Sequence, residues 1–353
     1  MTRARSSYME WAKSRPKPAI DLAGSNLLAC SMDDLPGARE AVELEGESPN
    51  GYPPLVEAIA ARYGVRSENV ATAIGCSGAN FLALAALVES GDEVLFEQPG
   101  YDPLAAAATM LGARVTRFER RFEDGWRLDP ERIARAVTKR TRVLMISSPH
   151  NPSGILAAED DLRAIARLAE NRAFTVLVDE VYLDLASQGH PPAATLSPAF
   201  VSTNSLTKAY GLASLRCGWA LASPEITEKI RRARDVVDVW GPMPADRIAV
   251  VAFENIDRLA ERAKRIVESN APLVASFLAE RDELECTPSH ATIAFPRFAD
   301  GRDAGPFVER LFLERGVAVV PGTFFDSPSH FRISFGGEAE PLRKGLAAIA
   351  ACL

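Results

Sequence analysis

The chain has 353 residues, 47% hydrophobic and 25% charged, which is the balance of a globular protein long enough for about two domains. A formal net charge of −7 with no dense Lys/Arg run argues against a nucleic-acid partner. No segment approaches the ~18 uninterrupted apolar residues of a membrane span. Five cysteines, at 30, 76, 217, 286 and 352, form no Cys-x-x-Cys pair, and the four histidines show no metal-ligand spacing. That pattern excludes a disulfide scaffold and a zinc site and fits a reducing cytoplasm. The opening "MTRARSSYMEWAKSRPKP" has basic residues but no apolar h-region, so it does not read as a secretory leader.

From residue 70 to 223, short apolar runs alternate with helical patterns. "VATAIG" precedes "ANFLALAALVES", "EVLFEQ" precedes "YDPLAAAATMLG", "RVLMISS" precedes "EDDLRAIARLAEN", and "FTVLVDEVY" follows. Strands apolar on both sides belong to a mostly parallel sheet covered by helices, so the fold class is α/β, a three-layer domain. The arginines of "KIRRARD" (229–235) read as a solvated helix face. "DVWGPMPAD" (238–246) reads as a linker, followed by a long helix from about 246 to 282 with a break, then short strands "ATIAFPRF", "VAVVPG" and "FRISFGG". The expected division is an N-terminal segment (1–36) packing on the small domain or a partner subunit, a large domain (37–244) and a smaller α+β domain (245–353).

In such sheets ligands gather at the carboxyl ends of the strands. After "ATAI" comes Gly75-Cys76-Ser77-Gly78 leading into a helix, where free N–H groups can hold an anion. After "VLMISS" comes "PHNPSG", with Asn151 between two prolines; an Asx turn is the alternative use of that amide. After "FTVLV" comes Asp179 with Tyr182 three positions on, an acid that a buried strand end tolerates only with a partner. After "FVSTNSL" comes Lys208, with Arg216 eight positions later. A lysine in a partly apolar site near another cation has a depressed pKa and a nucleophilic free amine. An amine, an anion cup and a buried acid together meet the needs of an aldehyde-bearing, phosphorylated pyridine.

On these residues the chain resembles the class I/II aminotransferases, the fold-type-I pyridoxal-phosphate enzymes. Six elements occur in family order between about residues 20 and 337: "GCSGA", "EQPGYDPL", "SSPHNPSG", "VDEVY", "SLTKAYGLASLRCGW" and "FRISFG". The resemblance implies an enzyme that moves an amino group between an L-amino acid and a 2-oxo acid. Lys208 would form the Schiff base and then carry the proton between Cα and C4′. Asp179 would pair with the pyridinium nitrogen, Tyr101 would stack on the ring, and Asn151 and Tyr182 would bond its phenolate oxygen. Gly75, Cys76, Ser77, Ser205 and Arg216 would hold the phosphate, and Arg332 and Asn151 would bind the substrate, Arg332 by its α-carboxylate. For Arg332 the alternative is a surface arginine on an edge strand. The resemblance also implies a homodimer.

The chain departs from the family around "GYPPLVEAIA". Gly46 stands where many relatives carry a tyrosine that crosses to the partner's phosphate, Val56 where an arginine is usual, and Leu104 where a second tyrosine often follows Tyr101. These changes leave the imine chemistry intact and make the substrate pocket unlike that of the best-known members. Three other readings stand beside the main one. Another fold-type-I reaction (C–S lyase, decarboxylase, cyclase or synthase) keeps the cofactor. A sensor domain would need a DNA-binding domain that the N-terminal stretch does not supply. A dinucleotide-binding protein would need a G-x-G-x-x-G opening a βαβ unit. His190, in "SQGHPP", reads as a solvated loop residue.

Overall fold

The computed structural model describes residues 5–186 and 190–353. The apolar runs form β1 (Val70–Ile74), β2 (Glu93–Gln98), β3 (Arg114–Glu119), β4 (Thr141–Ser147), β5 (Thr175–Asp179), β6 (Phe200–Ser205) and β7 (Cys217–Leu221). They make one sheet in the order β1-β7-β6-β5-β4-β2-β3. β7 is antiparallel to both neighbours; the other pairings are parallel. Successive side chains go to opposite faces: Leu95, Leu144 and Val178 join the core under helix Glu159–Arg172, while Phe96, Met145 and Leu177 join the core under helices Gly75–Leu87 and Pro224–Val237. With both faces covered, the inner strands β2, β4 and β5 carry continuous apolar runs, each fully buried aliphatic side chain contributing roughly 1.5–3 kcal/mol, while β6 ends in buried Ser202, Thr203, Asn204 and Ser205.

β3, "RVTRFE", lacks such a run and escapes the sequence reading. It is an edge strand, mostly accessible, and its charges suit an edge that must not pair further. The solvated face expected for "KIRRARD" needs correction at Arg234, which is buried and donates to Thr72 Oγ1 at 3.0 Å. The linker is shorter than expected, 238–242, because Pro242 and Pro244 flank Met243 and suit a helix start there. The long helix is two, Met243–Glu254 and Ile256–Ala279, separated at Asn255, whose side chain donates to Val251 O (2.9 Å) and ends the first.

Beyond residue 284 the strands are short. Phe331–Ser334 lies between Ile293–Ala294 and Val320–Pro321 in a three-stranded antiparallel sheet. Arg332 is therefore on a central strand and fully buried, which corrects the edge-strand alternative. Ile20–Asp21 pairs in parallel with Val317–Ala318. Three helices shape the site: α1 (Ser7–Ser14), α2 (Gly75–Leu87) and α3 (Asp102–Met110). α1 is capped by Ser6, whose hydroxyl also donates to Asp102 at the start of α3 (2.7 Å). α2 begins at Gly75 itself, so the expected glycine turn is the helix's first turn.

Candidate active site

Three strand ends lie level. Ser147 pairs with Asp179 and Asp179 with Thr203 in the sheet register, so the residues that follow β4, β5 and β6 emerge side by side. β7 runs the other way, which brings its first residues, and Arg216 before them, to the same edge. There Gly75 N donates to Arg216 O (2.7 Å), leaving the N–H groups of Cys76 and Ser77 in the opening turn of α2. A Cβ on Gly218 would strike the backbone of Gly75 and Cys76, so only glycine lets β7 lie this close to α2. Gly75 (φ 69°) sits under the Arg216 guanidinium, and Arg216 takes a left-handed conformation (φ 51°), a strain of about 1–2 kcal/mol for a side-chain-bearing residue.

The result is a cleft of about 200 Å³ lined by Cys76, Ser77, Tyr101, Asn151, Asp179, Tyr182, Ser205, Lys208 and Arg216. Gly75 lies beneath it and Arg332 behind Asn151, so the eleven residues singled out by sequence converge on one place. A larger cavity, about 550 Å³, lies elsewhere, against Arg62, Asp184, Lys264 and the half-buried His190, which is less solvated than expected.

Lys208 Nζ donates to Asn26 Oδ1 (2.7 Å) and Ser25 Oγ (3.0 Å). Burial, and then the Arg332 charge, pull its pKa down to about 8, against the opposing pull of Asp179. Burial pushes the Asp179 carboxyl up, and the Asn80 amide donating to Oδ2 (2.8 Å) opposes that most strongly. Burial pushes Tyr182 up to about 12, and its buried hydroxyl finds no hydrogen-bond partner among the described residues. Arg332 donates to Asn151 Oδ1 (2.8 Å), Tyr8 OH (3.0 Å) and Ala23 O (3.1 Å). Tyr101 meets Tyr8 edge to face, with ring centroids 5.6 Å apart. Ser205 Oγ accepts from Thr207 N (3.3 Å).

The profile of the family described as Aminotransferase class I and II matches residues 25–349. The chain belongs to the class I and II aminotransferases. This aminotransferase, a transferase of nitrogenous groups, is 34% identical over 285 residues to capreomycidine synthase of Streptomyces vinaceus (79% of this chain, 73% of that one). It is 31% identical over 319 residues to the aspartate/prephenate aminotransferase of Thermus thermophilus (84% and 80%). Among solved structures, a PLP-dependent aminotransferase from Streptococcus suis superposes with a TM-score of 0.93 at 26% identity, over 100% of this chain and 98% of that one. Thermus thermophilus aspartate aminotransferase with maleate gives 0.87 at 26% identity, over 98% and 94%. The fold is that of fold-type-I aminotransferases.

Sequence reasoning missed several residues of this aminotransferase's cleft. Ser25 and Asn26 come from a loop with no strand-end signal, and Tyr8 from a segment with no motif. Asn80 carried a weak one: it follows Cys76 by four, one turn along α2 and on the same face. At the departures from the family, Leu104 lines the cleft and Val56 is buried in the core. Among the described residues no cluster of three or more His, Cys, Asp or Glu could hold a metal, and no helix is long and apolar enough to cross a membrane.

Proposed function

We propose that the cleft holds pyridoxal 5′-phosphate and that the enzyme moves an amino group between an L-amino acid and a 2-oxo acid. One observation carries this reading: the same cleft offers a lysine with a lowered pKa, a buried carboxylate and a buried phenol with no partner. The residues fit the group, since the orphaned Tyr182 hydroxyl needs an acceptor and the α2 N-terminus with Arg216 makes a cationic cup for a phosphate. When bound, the cofactor supplies an aldehyde carbon and an electron-accepting ring.

The remaining work falls to side chains. With its pKa pulled down to about 8, Lys208 keeps a useful fraction of free amine at neutral pH, the form that would hold the cofactor covalently. With the cofactor bound, the Lys208 amine would be the base that carries a proton to and from the substrate Cα. Asp179 would pair with the ring nitrogen, and Tyr182, held protonated by its raised pKa, would donate with Asn151 to the phenolate oxygen. Tyr101 supports the ring face. Cys76 and Ser77 N–H groups, Ser205 and Arg216 hold the phosphate, with Gly75 as the floor. Arg332, oriented by Asn151, receives the α-carboxylate.

A homodimer in a reducing cytoplasm completes the proposal, as does the division into 1–36, 37–244 and 245–353. Val42, Leu44, Val236, Val239 and Trp240 expose apolar side chains, and Arg247, in the helix that follows the second group, donates to Glu45 O (3.0 Å) beside the first; a second copy would cover them. The test is a half-reaction. Mixed with a panel of amino acids, the yellow holoenzyme should convert to the pyridoxamine form, and borohydride should fix the chromophore to Lys208. No conversion with any amino acid, or full activity in Lys208→Ala, sinks the proposal. The synthase name of one relative favours a second reading, a different reaction on the same cofactor; product formed without any 2-oxo acceptor would select it.

A further inference from the structure

Asp179 has both carboxylate oxygens engaged by the protein. Val181 N donates to Oδ1 (3.2 Å) and Asn80 Nδ2 to Oδ2 (2.8 Å). Asn80 is 2% exposed, and its own Oδ1 accepts from Thr203 Oγ1 (2.7 Å) on β6, the strand beside Asp179. This chain of two bonds sets which way the amide faces. Turned by half a turn, Asn80 would present its oxygen to the carboxylate, acceptor against acceptor, and give up the bond that the Thr203 hydroxyl donates. Two donors on the two oxygens suit a carboxylate better than a neutral acid, whose hydroxyl oxygen is the poorer acceptor, so the arrangement favours the ionised state.

The need is evident from the surroundings. Among the described residues no cation forms an ion pair with Asp179, and Lys208 Nζ spends its bonds on Ser25 and Asn26. A carboxylate buried without a counter-ion tends to take up a proton. Asn80 is the side chain that donates to it, apart from the nearby Cys76 thiol.

We propose that Asn80, held in orientation by Thr203, is a positioning residue that keeps Asp179 ionised and ready to pair with a protonated ring nitrogen. The proposal rests on the cofactor reading above. It predicts an effect centred on that nitrogen, because Asn80 meets the phosphate cup only through the Cys76 thiol (3.5 Å), not through the N–H groups that face the anion, and makes no hydrogen bond to Lys208.

The test is equilibrium binding of two probes to the cofactor-depleted full chain: pyridoxal 5′-phosphate, and 1-deazapyridoxal 5′-phosphate, in which carbon replaces the ring nitrogen. Asn80→Leu, which keeps the volume and removes the donor, should weaken pyridoxal phosphate by about tenfold to a hundredfold, the worth of a hydrogen bond to a charged group. The deaza analogue should bind as it does to the unaltered protein. Thr203→Val should give the same selectivity with a smaller factor, and it serves alone if Asn80→Leu does not fold. Equal weakening of both probes means that Asn80 is only a staple between α2 and the sheet, and overturns the proposal, as does no weakening of either. Failure of the unaltered protein to bind pyridoxal phosphate would appear before any substitution, and would overturn the cofactor reading and this inference together.

Discussion

Arg120 and Arg332 are both shut off from water, yet their surroundings are opposites. Arg120, just past β3, donates to Glu97 Oε2 (2.9 Å) and Trp126 O (2.6 Å), and both members of the ion pair are fully buried. Glu97 in turn accepts from Ser147 N (2.7 Å) and Oγ (2.5 Å) at the end of β4. Arg332 is held by an amide, a phenol and a carbonyl, and no carboxylate among the described residues forms an ion pair with it. The first region is electrically closed and serves as scaffold. The second carries a buried positive charge that only an arriving anion can balance. A buried charge with no counter-charge in the chain points to a ligand.

Substitutions can break this comparison. Arg120→Leu leaves Glu97 buried and unpaired, and should cost about 3–5 kcal/mol of stability by denaturant titration. Glu97→Gln combined with Arg120→Met should cost less than that single change; an equal or larger loss would mean the pair is not acting as a unit. Arg332→Leu should behave in the reverse sense. It should disturb the denaturation midpoint less than Arg120→Leu while raising KM for the amino acid by about 10²-fold or more, through loss of a bidentate charged contact. A stability loss as large as that of Arg120→Leu with unchanged KM would assign Arg332 to the scaffold.

A smaller effect sharpens the same point through Lys208. The rate at which the cofactor-free protein takes up pyridoxal phosphate should climb with pH around a midpoint of about 8, because only the unprotonated amine attacks. In Arg332→Leu that midpoint should move up toward the ordinary 10.5, since the arginine's charge helps to expel the proton. By the same shift, stability of the cofactor-free fold should rise with pH between about 8 and 10.5, where the unfolded chain binds a proton that the folded one has lost. The smallest effect belongs to an arginine of a third kind. Arg163 pairs with Glu159 one helical turn away on an exposed face, and Arg163→Ala should cost no more than about 0.5 kcal/mol.

The inner strands β2, β4 and β5 were legible because each, covered on both faces, carries a continuous apolar run at its centre. The edge strand β3 was not, since half of its surface meets water and its pattern is broken by charge. Within the cleft, Lys208, Asp179 and Asn151 announced themselves by position, each a few residues past an apolar run. Arg332 could be singled out by its motif but not by its surroundings: alone, "FRISFG" suits an exposed arginine as well as a buried one.

Local order along the chain thus determined the α/β class, the helices over the sheet and which residues stand at its carboxyl edge, because these depend on neighbours a few positions apart. Only the tertiary structure decided what each of those residues meets. Asn80 lies 99 positions from Asp179, Asn151 lies 181 from Arg332, and Tyr8 lies 324 from it. Contacts of that reach follow from strand order and register, and so do the opposing influences of burial and Asn80 on the Asp179 carboxyl, the lowered pKa of Lys208 and the uncompensated charge of Arg332.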